Sequence, residues 1–415
     1  MSSNQIKDNT HNNASQHRSA FSEPMYRRYF PASCFATLAV WIVRFLVGWT
    51  AWQLTHSAFW VGVVAAAMLL PTFLFSPVFG IISDRINPRN GLIVTVLSQG
   101  VIASFAGISH GLDILNLPLL MVIAVLLGVV TSAHQPIRLA LVPRLIPRDA
   151  LPSAIGYGAM LFNTSRIIGP AIGAWLVASY SESVAFYVAS CFCLASIPSL
   201  ISIKGVEPLK RERSSSFFNE LIEGFVYAAA HPIIRLILCF TFINGLLGRT
   251  IMELLPAFSG QLLQGTAETL ATLSAIAGAG SIAGGLLVSR QSGAPKRLIK
   301  LVNYCLMFAA VSLISIQFLS GLYQFCVLIF VLSLMTTVAG TGAQALAQLM
   351  VDDAYRGRVL SFWSMMAMGV PAASAIAVGA LAQAFGFPIV SAITAVCALC
   401  LLATLRFYTR ADQIK

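Results

Sequence analysis

Charge is what this sequence has least of. Charged residues make up 10% of its 415 positions, against about 25% in an ordinary water-soluble domain. Acidic residues are the scarcer kind, with 15 Asp and Glu against 26 Lys and Arg. So little charge excludes a soluble globular protein. No Walker sequence is present, so ATP does not drive the protein directly. No grouping of His, Cys or carboxylates has the spacing of a metal site or an activated nucleophile. The chain therefore reads as neither an enzyme nor a cofactor or metal protein. Its eight cysteines, Cys397-x-x-Cys400 among them, fall in or beside apolar runs and read as small buried hydrophobes.

Long apolar runs stand in place of charge. Hydrophobic residues make up 57% of the chain, and about 20 consecutive apolar residues cross a bilayer. Twelve spans are expected, at about 31–54, 59–83, 91–109, 117–135, 151–179, 183–203, 233–258, 268–289, 297–319, 322–348, 358–385 and 387–407. Residues 1–25 are polar, without the apolar core of a signal peptide, and are expected to form a disordered cytoplasmic tail. Residues 408–415 form a second tail.

The basic residues orient these spans. Twenty-three of the 26 flank them on one side. The positive-inside rule makes that side cytoplasmic, with both termini on it, in a bacterial-type inner membrane. The net charge of +11 is thus a topology signal and not a nucleic-acid patch. Residues 204–231 form a long cytoplasmic linker between six spans at 26–203 and six at 232–407. Ser216 precedes an amphipathic stretch there, with Phe217, Leu221 and Phe225 on one face, expected to lie on the membrane surface. Gly80-Ile-Ile-Ser-Asp84-Arg85 in the first half is matched by Gly285-Leu-Leu-Val-Ser289-Arg290 in the second. The expected fold class is an all-α integral membrane protein, twelve helices in two six-helix pseudo-repeat bundles, as in many secondary transporters.

These motifs carry a resemblance. Gly80-x-x-x-Asp84-Arg85-x-x-x-Arg89 resembles the signature loop of the major facilitator superfamily. Gly169-Pro170-x-x-Gly173-Ala174 resembles the antiporter motif of its exporters. Arg356-Gly357-Arg358-Val359, with the linker from Asn219 to Pro232, is similar to its enterobactin exporter-like and macrolide efflux-like branch. The resemblance covers about 26–407. It implies the major facilitator fold, a small-molecule cargo, proton coupling and a monomer. It also implies that Asp84 and its arginines form an inward gate, and that the Gly-Pro motif shapes the outward-facing state. Asn87 and Pro88 depart from the signature, Ser289 replaces the acid of its second copy, and the fourth span carries no embedded arginine.

Charges inside spans are costly and are functional candidates by default. Arg44, Arg166 and Arg249 are the three basic residues inside apolar runs. Arg166 falls near the middle of its span. Arg44 falls about 20 Å past Pro31 at 1.5 Å per residue. Trp41, Phe45, Trp49 and Trp52 share its broad face. Arg44 and Arg166 are expected to hold an anion while the rings stack on a flat cargo. Equally, the arginine can pair with backbone carbonyls while the rings face lipid. Glu253 is read as the one carboxylate inside a span, four residues after Arg249. Burial favours a neutral carboxyl, which makes Glu253 the proton-carrier candidate. An ion pair with Arg249 would favour its charged form. His134 is the second candidate, with a packed imidazole as the plainer reading. Gly278-x-Gly280 and Gly340-x-Gly342 sit in apolar runs and read as helix-packing faces, not nucleotide loops.

Three embedded arginines against one glutamate point to an anionic cargo. The leading expectation is export of an anionic siderophore. A drug or macrolide pump, an uptake carrier, and a non-transporting receptor or scaffold are the alternatives.

Overall fold

The structure, a computed structural model, describes residues 19–204, 227, 230–289, 295–351 and 356–411. Among the described residues the regular structure is helical throughout. The first six helices are α1 (Pro24–Thr55), α2 (Ala58–Arg85), α3 (Pro88–Gly111), α4 (Leu117–Leu145), α5 (Leu151–Ser179) and α6 (Glu182–Ile201). The seventh run is broken into α7a (Pro232–Asn244), a π-helical turn (Gly245–Arg249), α7b (Thr250–Glu253) and α7c (Leu255–Leu263). Then come α8 (Ala267–Ser289), α9 (Pro295–Ile314), α10 (Leu322–Met350), α11 (Arg356–Phe385) and α12 (Phe387–Ala411). Eleven of these runs are long and apolar enough to cross a membrane. The twelfth, α5, has the length but carries the polar segment Asn163-Thr164-Ser165-Arg166.

Local chemistry sets the helix ends. Asn87 accepts from the amides of Arg89 and Asn90, and Pro88 occupies the first turn of α3. The departure from the signature loop thus makes an N-cap followed by the proline that a first turn tolerates. Ser57, Asn116 and Ser181 cap α2, α4 and α6 in the same way.

Two expectations about boundaries change. Residues 19–25, placed in the tail, are folded: Ser19 caps a short 3-10 turn, and Ala20 donates to the Ser153 hydroxyl on α5 at 3.1 Å. Phe21 packs edge-on against Tyr26, Phe30 and Tyr157. Second, α4 runs on to Leu145 through Pro136 and Pro143. Arg138, read as a loop residue, is therefore a half-buried helical residue bonded to Gln135 at 3.0 Å. A proline inside a helix removes a backbone hydrogen bond, but packing against α2 and α3 carries the helix past both. The amphipathic linker segment lies outside the described residues.

The two halves meet where α2 packs on α11, α5 on α8, and α1 and α2 on the seventh run. Where α1 ends and α2 begins, on the face opposite the basic residues, the contact is tight. A Cβ on Gly379 would lie 2.5 Å from the Ala58 carbonyl oxygen, and one on Gly62 would strike the Ala375 carbonyl. The Ala58 amide donates to the Gln383 side chain at 2.9 Å. Trp52 of α1 fills the space that a side chain at Gly260 of α7c would need. That face of the seam is closed.

Candidate functional site

The embedded charges converge on the seam. Arg44, Arg166 and Arg249 lie 11, 13 and 14 residues from the ends of their helical runs at the closed face. At 1.5 Å per residue that is one layer roughly 17–21 Å deep. The sequence reading spread these groups over different depths. The helix bounds, which start α1 earlier and break the seventh run, place them together. Arg166 interacts electrostatically with Arg249, Arg44 and Glu253, and Arg249 with Glu253 and Arg44.

Glu253 does not take Arg249 as its hydrogen-bonding partner. Its carboxylate holds the Arg44 guanidinium of α1, across the two halves. A π turn leads into Arg249. Five residues from Gly245 to Arg249 wind wide, Thr250 donates its hydroxyl to the Gly245 carbonyl at 2.8 Å, and the helix breaks again at Leu254. Such turns inside a helix re-aim side chains and recur at functional sites. Arg249 instead reaches the Met368 sulfur of α11 at 3.7 Å.

Arg166 makes a second link across the halves. Its Nη1 donates to the Ser281 hydroxyl of α8 at 2.7 Å. Ser281 lies 2.8 Å from the Ser333 hydroxyl and accepts from Thr337 at 3.1 Å, both on α10. These hydroxyls were invisible as site residues in the sequence, because a membrane-helix serine looks the same whether it packs or binds.

Trp41 lies between the two N-half arginines. The Arg44 and Arg166 guanidinium carbons are each 5.8 Å from its ring centroid, within cation–π range. Phe162 meets the ring edge-on at 5.3 Å. The indole N–H is buried and has no hydrogen-bond partner among the described residues. The rest of the expected aromatic stripe is packing. Phe45 and Trp49 are buried, and Trp52 sits against α7c.

The Gly-Pro motif of α5 positions that tryptophan. A Cβ on Gly169 would lie 2.5 Å from Trp41 Cβ, and one on Gly173 would lie 2.8 Å from the Phe45 ring. Both glycines let α1 approach α5 closely, and α5 continues helical through Pro170, with Ala174 buried one residue past Gly173. Gly278 gives Ile167 of α5 the same access to α8.

Other expected residues lie apart from this layer. His134 pairs with the Thr95 hydroxyl at 3.0 Å, between α4 and α3 of one bundle. Arg89 donates to the Ile203 carbonyl at 2.8 Å, tying α3 to the end of α6. The surroundings of Gly80 and the side chains of Asp84 and Arg85 lie outside the described residues. Glu182, passed over as a helix-end residue, is a second shielded carboxylate, 12% exposed. It accepts from Thr50 at 2.7 Å and faces His110 at 3.2 Å. Among the described residues no group of His, Cys, Asp and Glu is placed to hold a metal.

Comparison with known proteins agrees with this architecture. The family described as transmembrane secretion effector matches residues 15–413. The Staphyloferrin A transporter of Staphylococcus aureus is 24% identical over 397 residues, covering 94% of this chain and 98% of the relative. An uncharacterised MFS-type transporter of Bacillus subtilis, YfiS, is 23% identical, covering 74% and 75%. Among solved structures, a bacterial homologue of the human lysosomal transporter Spinster superposes with a TM-score of 0.72 at 14% identity, covering 93% of this chain and 97% of the other. The nucleoside transporter NupG gives 0.68 at 12% identity, covering 91% and 99%.

Proposed function

The chain belongs to the transmembrane secretion effector family of major facilitator transporters, and on that premise we propose that it exports a small organic anion of the siderophore type by proton-coupled alternating access. The observation that carries the reading is the arginine layer at the seam. Arg44 and Arg166 come from one half, Arg249 from the other, and one carboxylate opposes them. A positive layer between two moving halves suits an anion held near the midplane. The relative named for transporting staphyloferrin A, a siderophore, points to the same cargo chemistry.

Trp41 offers its ring face and its unpaired N–H to the cargo. Glu253 is the proton carrier. While it holds Arg44, the link between α1 and α7b stands. A proton on Glu253 removes its charge and weakens that link, so protonation favours separation of the halves at the closed face. With the basic face cytoplasmic, the closed face is the external one; once it opens and the cargo leaves, Glu253 takes a proton from outside and releases it inside after the face closes again, so proton entry is exchanged for export. The protein works as a monomer in a bacterial cytoplasmic membrane, with both termini inside.

Comparing a deletion strain with its parent under iron limitation tests the function. The expected result is siderophore retained in the cells and depleted from the medium. Unchanged secretion, together with new sensitivity to macrolides, would replace the siderophore with a drug cargo.

A further inference from the structure

The partners of the three arginines say more about the cargo than its sign. Arg44 already has a carboxylate, Glu253. Arg166 and Arg249 hydrogen-bond only to neutral groups among the described residues: the Ser281 hydroxyl for one, the Met368 thioether for the other. The three arginines repel one another electrostatically, and among the described residues Glu253 is the one acid acting on Arg166 and Arg249. The layer therefore carries two positive charges beyond what the protein itself neutralises. These two sit on different halves, Arg166 on α5 and Arg249 at the end of the π turn.

We infer that the cargo presents at least two separate anionic groups, one for Arg166 and one for Arg249, while Glu253 keeps Arg44 occupied. The inference rests on the anion reading above and narrows it. A single anionic group satisfies one guanidinium and leaves the other desolvated without a counter-charge when the halves close, which is unfavourable in a bilayer. Two groups neutralise both and bridge the halves, so cargo binding itself draws α5 toward the seventh run. Carboxylates fit best, because a guanidinium presents paired N–H donors in the plane that a carboxylate accepts. Between the arginines the cargo meets the Trp41 face, so the link joining its anionic groups lies flat against that ring.

The test uses three six-carbon probes that differ in charge: hexanoate, adipate and propane-1,2,3-tricarboxylate. Binding to the full-length protein in nanodiscs is measured at a pH where all three are ionised. Wild type is expected to bind adipate roughly tenfold or more tighter than hexanoate. Arg166→Gln and Arg249→Gln should each abolish that gap, and Arg166→Lys should keep it, because the charge remains. Glu253→Gln adds one uncompensated charge, so its preference should move from adipate to the tricarboxylate. Thermal melting of each variant shows whether it is folded. Equal binding of hexanoate and adipate by wild type overturns the inference and leaves the anion reading standing. A gap that survives both glutamine variants also overturns it. Binding of none of the three probes would overturn the anion reading together with the inference.

Discussion

Arg44 and Glu253 hold one interaction with two consequences, stability and transport. Breaking a fully buried pair by removing one partner costs about 3–5 kcal/mol. Glu253 is shielded at 9% exposure, but Arg44 is 31% exposed, so solvent screening reduces that cost. Arg44→Ala is expected to lower the melting temperature. Arg44→Ala with Glu253→Ala should recover most of that loss, because no charge is left unpaired. Neither variant should transport. Recovery of transport by the double variant would assign the pair a purely structural role. The four charges were legible in the sequence as residues that a membrane segment tolerates poorly. Their pairing was not, since nothing in the sequence marks the approach of α1 that brings Arg44 to Glu253, or the π turn that ends at Arg249. Arg138 escaped because α4 continues about ten residues past the end of the apolar run, which packing and not hydropathy sustains.

At the scale of the helix, close approach does the positioning. Gly169 and Gly173 bring α1 against α5 and so set the place of Trp41 and Arg44. Gly169→Val should push Trp41 away at an overpacking cost of about 1–3 kcal/mol. Transport should fall far more than protein level in the membrane, measured by immunoblot beside an uptake assay. Undiminished transport would remove the motif from the site. On the closed face, Ala58 is fully buried against Gly379. Gly379→Leu should hold α2 and α11 apart there. A cysteine placed at Ala58 should then react with a membrane-impermeant maleimide, while the same cysteine in the parent stays protected. Eleven of the runs were legible from hydropathy alone. Which helices touch was not, because Gly62, Gly260 and Gly379 look like any other small residues of an apolar segment.

At the scale of the whole molecule, the distribution of basic residues predicted two six-helix halves with the termini and linker on one side. Among the described residues, six helical runs lie on each side of that linker, and α1, α2 and α5 of the first half pack on the seventh run, α8 and α11 of the second. The halves meet tightly on the face opposite the basic residues, and the arginine layer lies below that closure. Alternating access requires this arrangement: a site between the halves, a seal on one side, and a charge-sensitive link across it. The cargo was the least legible part. Its sign follows from counting charges, but its shape depends on groups whose partners only the fold reveals.

The central claim is that the arginine layer carries an organic anion outward on the proton gradient. Inside-out membrane vesicles, loaded with an acid interior and supplied with a carboxylate siderophore, test it most directly. Wild-type vesicles should accumulate the siderophore until the pH gradient is collapsed. Vesicles holding equal amounts of Arg44→Ala or Glu253→Gln should not. Accumulation by wild type without a proton gradient, or undiminished accumulation by Arg44→Ala, would contradict the account.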